Sequence, residues 1–328
     1  MTTYIIRRLL YFIPMMFLVS VLAFVVIQAP PGDVLTSQIE QLRMQYGDAA
    51  EDQIEMLRHR YGLNQPMHVR YFKWIGGIIT RGDFGKSFTK NRPVSEIIAE
   101  RLPATIALTL GSLLFTWMVA IPIALYSAVR QYSVFDYVFT FLAFVGRSIP
   151  NFFLALVLMF VFFEAFGWSL GGLFSVEYKG EPWSIAKFGD FLKHLILPII
   201  VIGTAGTAGM VRVLRGMMLD ELNKDYIETA RAKGLSERVI IWKHALKVAI
   251  RPMIATIGWL LPRLVSGAMI TAIVLNLPTT GPAVYSGLMS QDMYLVGSFI
   301  LLVSLLTLIG TLVSDIALAW IDPRIRYD

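Results

Sequence analysis

Six runs of apolar residues, each near the length that crosses a bilayer as a helix, constrain this chain more than any motif does. They fall at Leu9–Ala29, Leu102–Val129, Tyr137–Phe166, His194–Leu214, Met253–Leu277 and Val296–Ile321. About 20 helical residues span the ~30 Å hydrocarbon layer. Backbone polar groups in hydrocarbon must be satisfied within the protein, so apolar runs of this length predict an all-α integral membrane protein. Charge agrees with that class: 16% of the 328 residues are charged, against about a quarter in soluble domains. The chain has no cysteine, which excludes disulfides, thiolate catalysis and cysteine-ligated metals. A net charge of +6 would suggest nucleic acid in a soluble protein. Here the cations flank the apolar runs, where they set orientation in the membrane.

Arg7 and Arg8 precede the first run, and Ile27-Gln28-Ala29-Pro30-Pro31 lacks a small-x-small cleavage site. The expectation is an uncleaved helix with its basic end in the cytoplasm. Six crossings then put both termini inside, with residues 1–30 forming the N-terminus and first span. Residues 31–101 form a polar external segment, and 102–321 a membrane core. The loop after the fourth span, 215–250, is cytoplasmic and carries Arg215, Lys224, Arg231, Lys233, Arg238, Lys243 and Lys247. The tail 322–328 is also cytoplasmic and carries Arg324 and Arg326. Pro122, Pro150, Pro198 and Pro262 interrupt four of the runs, either as plain kinks or as bends around a wet path.

The loop 215–250 contains a compact polar helix pattern. Asp225 is placed to cap the helix start, and Glu228 stands three residues later as in a capping box. Tyr226, Ala230 and Lys233 share one face, as do Ile227 and Ala230, and Gly234 supplies a left-handed stop. Small Ala230 and Ala232 would let a partner's backbone approach. A second helical run, Ser236–Lys247, leads back towards the membrane. Periodicity alone leaves open whether this is a docking element or an ordinary solvated loop.

A resemblance bears on that choice. Glu228-Thr229-Ala230-x-x-x-Gly234 resembles the EAA signature of permease subunits in bacterial ABC importers. The string Asp225–Ser236, followed by His244-Ala245-Leu246 and Pro252, is similar to the dipeptide/oligopeptide branch (peptide, nickel and oligosaccharide importers). Pro31-Gly32-Asp33, Tyr61-Gly62-Leu63-Asn64-Gln65-Pro66 and Gly82-Asp83-Phe84-Gly85-Lys86-Ser87 look like that branch's external segment. Arg101-Leu102-Pro103-Ala104-Thr105 and Asp322-Pro323-Arg324-Ile325-Arg326 extend the likeness to both flanks of the core.

The resemblance implies a B-type permease of the type I importer fold in a bacterial or archaeal plasma membrane. It implies as partners a homologous C-type permease subunit, two cytoplasmic ABC ATPases and an external solute-binding protein. ATP and Mg would be used by the ATPases, with no cofactor bound by this chain. The helix near Asp225–Leu235 would be the coupling helix seated on an ATPase. Its contact candidates are Asp225, Tyr226, Glu228, Thr229, Ala230, Arg231, Lys233, Gly234 and Leu235.

The departures are specific. Thr229 stands where many members have alanine. His244-Ala245-Leu246-Lys247 replaces the broader family's Ile-x-Leu-Pro, and Pro278-Thr279-Thr280-Gly281 replaces the branch's Pro-Gly-Leu-Gly.

Gly85-Lys86-Ser87 ends like a phosphate-binding loop, but Thr80 stands where the motif needs its first glycine. The chain therefore has no ATPase motif and is read as a non-catalytic subunit. Charges within the runs are costly, which makes Arg263 and Arg147 candidates for a substrate path, with Glu164 and Asp315 nearer the ends. The bland alternative is an arginine that pairs on a neighbouring helix or reaches an interface. Four scattered histidines offer no metal-ligand pairing. The leading expectation is import of di- or oligopeptides. Oligosaccharides and nickel chelates are alternatives for the same machinery. A stand-alone channel, a secondary transporter and an intramembrane enzyme are rivals of another class.

Overall fold

The computed structural model describes residues 2–28, 65–259 and 268–321, together with 39, 43, 44, 46, 47, 51, 55 and 56. Almost every element is helical. In chain order they are α1 (Thr2–Gln28), α2 (Met67–Arg81), α3 (Val94–Val129), α4 (Val134–Ser148) and α5 (Asn151–Phe166). There follow α6 (Ile185–Leu222), α7 (Asp225–Ala232) and α8, residues 237–249. The chain continues with α9 (Arg251–Ala255), α10 (Met269–Val274), α11 (Thr280–Met289) and α12 (Met293–Ile321). A two-stranded hairpin pairs β1 (Lys86–Ser87) with β2 (Arg92–Pro93).

Among the described residues, four helices are long and apolar enough to cross a membrane: Ile5–Gln28 of α1, and the whole of α3, α6 and α12. At 36 and 38 residues, α3 and α6 reach roughly 55 Å, well beyond the hydrocarbon layer, so their ends carry structure into water. The third predicted span is not one rod. It divides into α4 and α5, bent by 104°. Pro150 stands at the break. Pro150 disfavours helical backbone at Ile149, which is extended at φ −80° and ψ 123°, and the proline then opens α5. Pro122 and Pro198, in contrast, lie within unbroken α3 and α6. Of the fifth predicted span, the structure describes α9, the 3₁₀ turn Thr256–Trp259 and α10; Pro262 lies outside the described residues.

The chain divides into two compact units. One comprises residues 6–104 and 279–306. In it, Ala23, Phe24 and Ile27 of α1 pack with Tyr71 and Trp74 of α2 and Leu301 of α12. A hydrogen bond of 2.7 Å between the Ser20 and Tyr71 hydroxyls ties α1 to α2. A second cluster joins Val94, Ile97 and Ile98 at the start of α3 to Ala283, Leu295 and Phe299.

Asp292 organises this unit. It is fully buried, and one carboxylate oxygen accepts from Ser87 Oγ (2.5 Å), Thr89 Oγ1 (2.8 Å) and Thr89 N (3.2 Å). The other accepts from Leu295 N at 3.3 Å, in the first turn of α12. Phe88 packs edge-on against Tyr294, and a Cβ on Gly85 (φ +88°) would lie 3.0 Å from the same ring. Gly85-Lys86-Ser87 thus anchors a hairpin to the start of α12, which accounts for the motif without a phosphate. Asp292→Ala is expected to cost roughly 3 kcal/mol, because several donors lose a charged acceptor in a dry site. The check is limited proteolysis: cleavage between residues 85 and 93 should appear in the variant and not in the parent.

The other unit, residues 1–5, 105–278 and 307–328, is built around α6. Packed on α6 are α4, α5, α8 and α9. Glycines bring α3 and α6 together. A Cβ on Gly203 would sit 2.4 Å from Phe115, and one on Gly111 would sit 2.4 Å from Ile199. Thr116 Oγ1 donates to Gly203 O at 3.1 Å across the same seam. Small residues and interhelical hydrogen bonds are what hold helices together where lipid removes the hydrophobic drive. Gly203→Val should overpack the seam at a cost of about 1–3 kcal/mol. A thermal melt of the solubilised protein checks it; an unshifted midpoint would mean Phe115 turns aside freely.

Candidate functional site

The end of α6 shows how the chain builds its polar appendage. Asn223 Nδ2 bonds back to Leu219 O at 3.0 Å, satisfying an orphan carbonyl, and Lys224 is extended at φ −84° and ψ 147°. Two residues therefore redirect the chain, and α7 begins at once. The start differs from the sequence expectation. Lys224 occupies the cap position, Asp225 is the first helical residue, and no side chain caps the helix. The Asp225 cap and the Asp225–Glu228 capping box are therefore corrected. Both carboxylates instead lie in the first turn, where they favour the helix dipole, with Arg231 in the last.

The helix stop matches expectation. Gly234 has φ +76°; its N–H donates to Arg231 O at 2.9 Å, and Leu235 N donates to Ala230 O at 3.2 Å. These two bonds are a complete Schellman ending. A Cβ on Gly234 would meet nothing within 4 Å, so the backbone angle alone explains the glycine locally.

Eight residues are too few to be helical unaided. α7 is held because Ile227 is fully buried and Ala230 nearly so. They join Ala120, Ala124, Leu125 and Ala128 of α3, Val211, Leu214 and Met218 of α6, and Ile240, Ala249 and Met253 in one core cluster. Ala230 therefore faces inward as an anchor, where the sequence suggested a surface for a partner's backbone. Asp225, Tyr226, Glu228, Thr229, Arg231, Lys233, Gly234 and Leu235 are exposed.

Several exposed side chains are fixed in place. Tyr226 OH donates to Glu221 at 2.6 Å, and partial burial followed by that carboxylate raises the phenol above its usual pKa. Arg231 Nε bonds Glu237 at 2.7 Å, which holds the Glu237 carboxyl below its usual range. Thr229 Oγ1 donates to Asp225 O at 2.9 Å. The second helical run is α8: Glu237–Val239, a π-helical stretch Ile240–Ala245, and Leu246–Ala249. The wider π turn is a local irregularity of the kind that recurs at functional sites.

The path candidates separate. Arg263 lies outside the described residues. Arg147 is exposed in the last turn of α4, and a Cβ on Gly209 of α6 would stand 3.6 Å from its Nη1. Glu164 is exposed near the end of α5. Among the described residues, no group of three or more His, Cys, Asp or Glu could hold a metal.

Sequence reasoning missed a buried ion pair in this unit. Asp136 is 3% exposed and takes two hydrogen bonds from Arg215, Nε at 3.0 Å and Nη2 at 2.8 Å. Tyr132 N adds a third at 3.0 Å. The pair ties the start of α4 to the part of α6 that leads into α7. The available signal was Asp136 itself, a carboxylate at the threshold of an apolar run facing an arginine at the end of another.

Comparison with known proteins gives a consistent result. Residues 120–327 match the family "Binding-protein-dependent transport system inner membrane component", and residues 1–109 match "Binding-prot-dependent transport system membrane comp, N-term". The chain is 38% identical over its full length to the whole oligopeptide transport system permease protein AppB of Bacillus subtilis. It is 34% identical, again covering both chains completely, to the dipeptide transport system permease protein DppB of Alkalihalophilus pseudofirmus. The oligopeptide transport system permease protein OppB of Haemophilus influenzae is 32% identical with the same coverage.

Proposed function

The chain belongs to the family of binding-protein-dependent transport system inner membrane components, and from this we infer that it is the permease subunit of an ATP-driven peptide importer. It is an integral membrane protein of the inner membrane and a non-catalytic subunit. The observation that carries the peptide reading is the full-length identity to permeases named for oligopeptides and dipeptides. Oligosaccharides and nickel chelates are not favoured by those relatives, nor is a stand-alone channel or secondary transporter.

Within that function we propose the finer assignments. The chain crosses the membrane six times with both termini in the cytoplasm, and residues 31–101 lie outside. It forms half of a pore with a homologous C-type subunit. Two cytoplasmic ATPases, which use ATP and Mg, drive it, and an external solute-binding protein delivers cargo.

In this reading α7 is the coupling helix. The support is mechanical. Its buried face is part of the core that also holds α3, α6 and α8, so a push on its exposed face reaches several helices as one body. Tyr226, Glu228, Thr229, Arg231, Lys233 and Gly234 form the face offered to an ATPase, with Asp225 and Leu235 at its ends. Nucleotide-driven closure of the ATPases would then shift the pore between inward- and outward-facing states. Arg147 and Arg263 remain candidates for the wall of the path.

The test is reconstitution. The assembled complex in proteoliposomes, with its binding protein and ATP, should accumulate labelled di- and oligopeptides, and omission of the ATPases or the binding protein should stop uptake. Accumulation by this chain alone would refute the reading. In the same assay, unchanged rates with Arg263→Ala across a peptide panel would remove Arg263 from the path.

A further inference from the structure

Two cavities adjoin each other beside α4 and α6, and their chemistries differ. One, of ≈ 210 Å³, is apolar, with Phe115, Phe139, Leu142 and Gly146 among its walls. The other, of ≈ 230 Å³, is lined by Thr140, Phe144, Arg212 and Arg215. Both share Ala143, Ala208 and Val211, so an elongated amphipathic molecule could lie across the two.

The cationic cavity holds more positive charge than the protein around it balances. Arg215 commits Nε and Nη2 to Asp136. Among the described residues, Arg212 has no carboxylate partner. Its guanidinium carbon instead lies 4.6 Å from the Phe144 ring centroid. Such stacking restrains the planar group and leaves its N–H edges available to an oxyanion. Two arginines face one aspartate at this surface, an excess of cation that an anion would balance.

Depth identifies the anion. The stretch 195–211 of α6 contains no charged residue and spans roughly 25 Å, close to the hydrocarbon thickness. Arg212 is the first charge after it, at the level where acyl chains give way to phosphates. We propose that the paired cavities bind one anionic phospholipid, its phosphate at Arg212, Arg215 and Thr140 and part of an acyl chain in the apolar cavity. A free phosphate or a cargo carboxylate would account for the cationic cavity and leave its apolar neighbour unexplained. The proposal rests on the membrane assignment of α6 and not on the identity of the cargo.

The test uses the assembled complex, purified in detergent and read by native mass spectrometry after exchange into nanodiscs. The nanodiscs contain phosphatidylethanolamine with either phosphatidylglycerol or phosphatidylcholine. The parent should retain a phosphatidylglycerol per copy of this chain, at least tenfold preferred over phosphatidylcholine. Arg212→Gln should erase the preference, and Ala143→Phe, which fills the junction between the cavities, should lower retention of both lipids. Thermal midpoints of the two variants report that they fold. Equal phosphatidylglycerol retention by the parent and Arg212→Gln would overturn the proposal. Displacement of the lipid by millimolar inorganic phosphate alone would make this a free-anion site and overturn it. Displacement by a labelled peptide would make it a cargo site and equally overturn it.

Discussion

Glu228→Arg is expected to reduce ATP-driven peptide uptake at least tenfold while the chain still inserts and folds. The contrast arises from where Glu228 stands. It is exposed in the first turn of α7, with its neighbours Ile227 and Ala230 carrying the burial. Reversing its charge gives up a favourable interaction with the helix dipole, worth about 0.3–1 kcal/mol at a surface. That is too little to unfold the unit. An ATPase groove shaped for this helix would meet an opposed charge and a longer side chain. Uptake in proteoliposomes, ATPase co-purification and the thermal midpoint should be read together. Gly234→Asp is a companion variant: no neighbour obstructs a Cβ there, and Asp tolerates positive φ better than most residues. Normal ATPase recruitment and coupled hydrolysis in both variants would remove α7 from the drive.

Asp136→Ala is the second large effect, and it acts on stability. The substitution leaves the Arg215 guanidinium three-quarters buried with no acceptor from Asp136, and withdraws an acceptor from Tyr132 N. Breaking a buried pair in this one-sided way costs about 3 kcal/mol, the lower end of the usual range because Arg215 retains some solvent. Removing both charges should be milder, since no bare ion is left behind. Asp136→Ala combined with Arg215→Met is therefore expected to melt higher than Asp136→Ala alone. A double-mutant cycle on thermal midpoints measures the coupling. Strict additivity would show that the pair contributes little. Because the pair links the start of α4 to the part of α6 that leads into α7, residual uptake in the double variant also reports whether transport needs that tie.

Much of this protein can be read without coordinates, and the reason is the solvent. Hydrocarbon forces each spanning segment to satisfy its own backbone, so apolar run length is enough to locate α1, α3, α6 and α12. The short polar helix was equally legible, because Gly234 and the periodicity around Ile227 and Ala230 are local signals, and its EAA-like pattern carried the family. Long-range choices were not legible. Pro122 and Pro198 ride inside continuous helices while Pro150 produces a bend of 104°, and no local rule separates them. Ala230 looked like a docking residue until the fold turned it into the core. Asp136 with Arg215, and Asp292 with Ser87 and Thr89, join residues 79 and more than 200 positions apart. Sequence alone therefore determined the class of the protein, the place of α1, α3, α6 and α12 and the short polar helix, all consequences of burial and periodicity within one segment. Tertiary structure alone decided which proline bends, which small residue is buried and which charges meet, because those depend on what packing brings alongside.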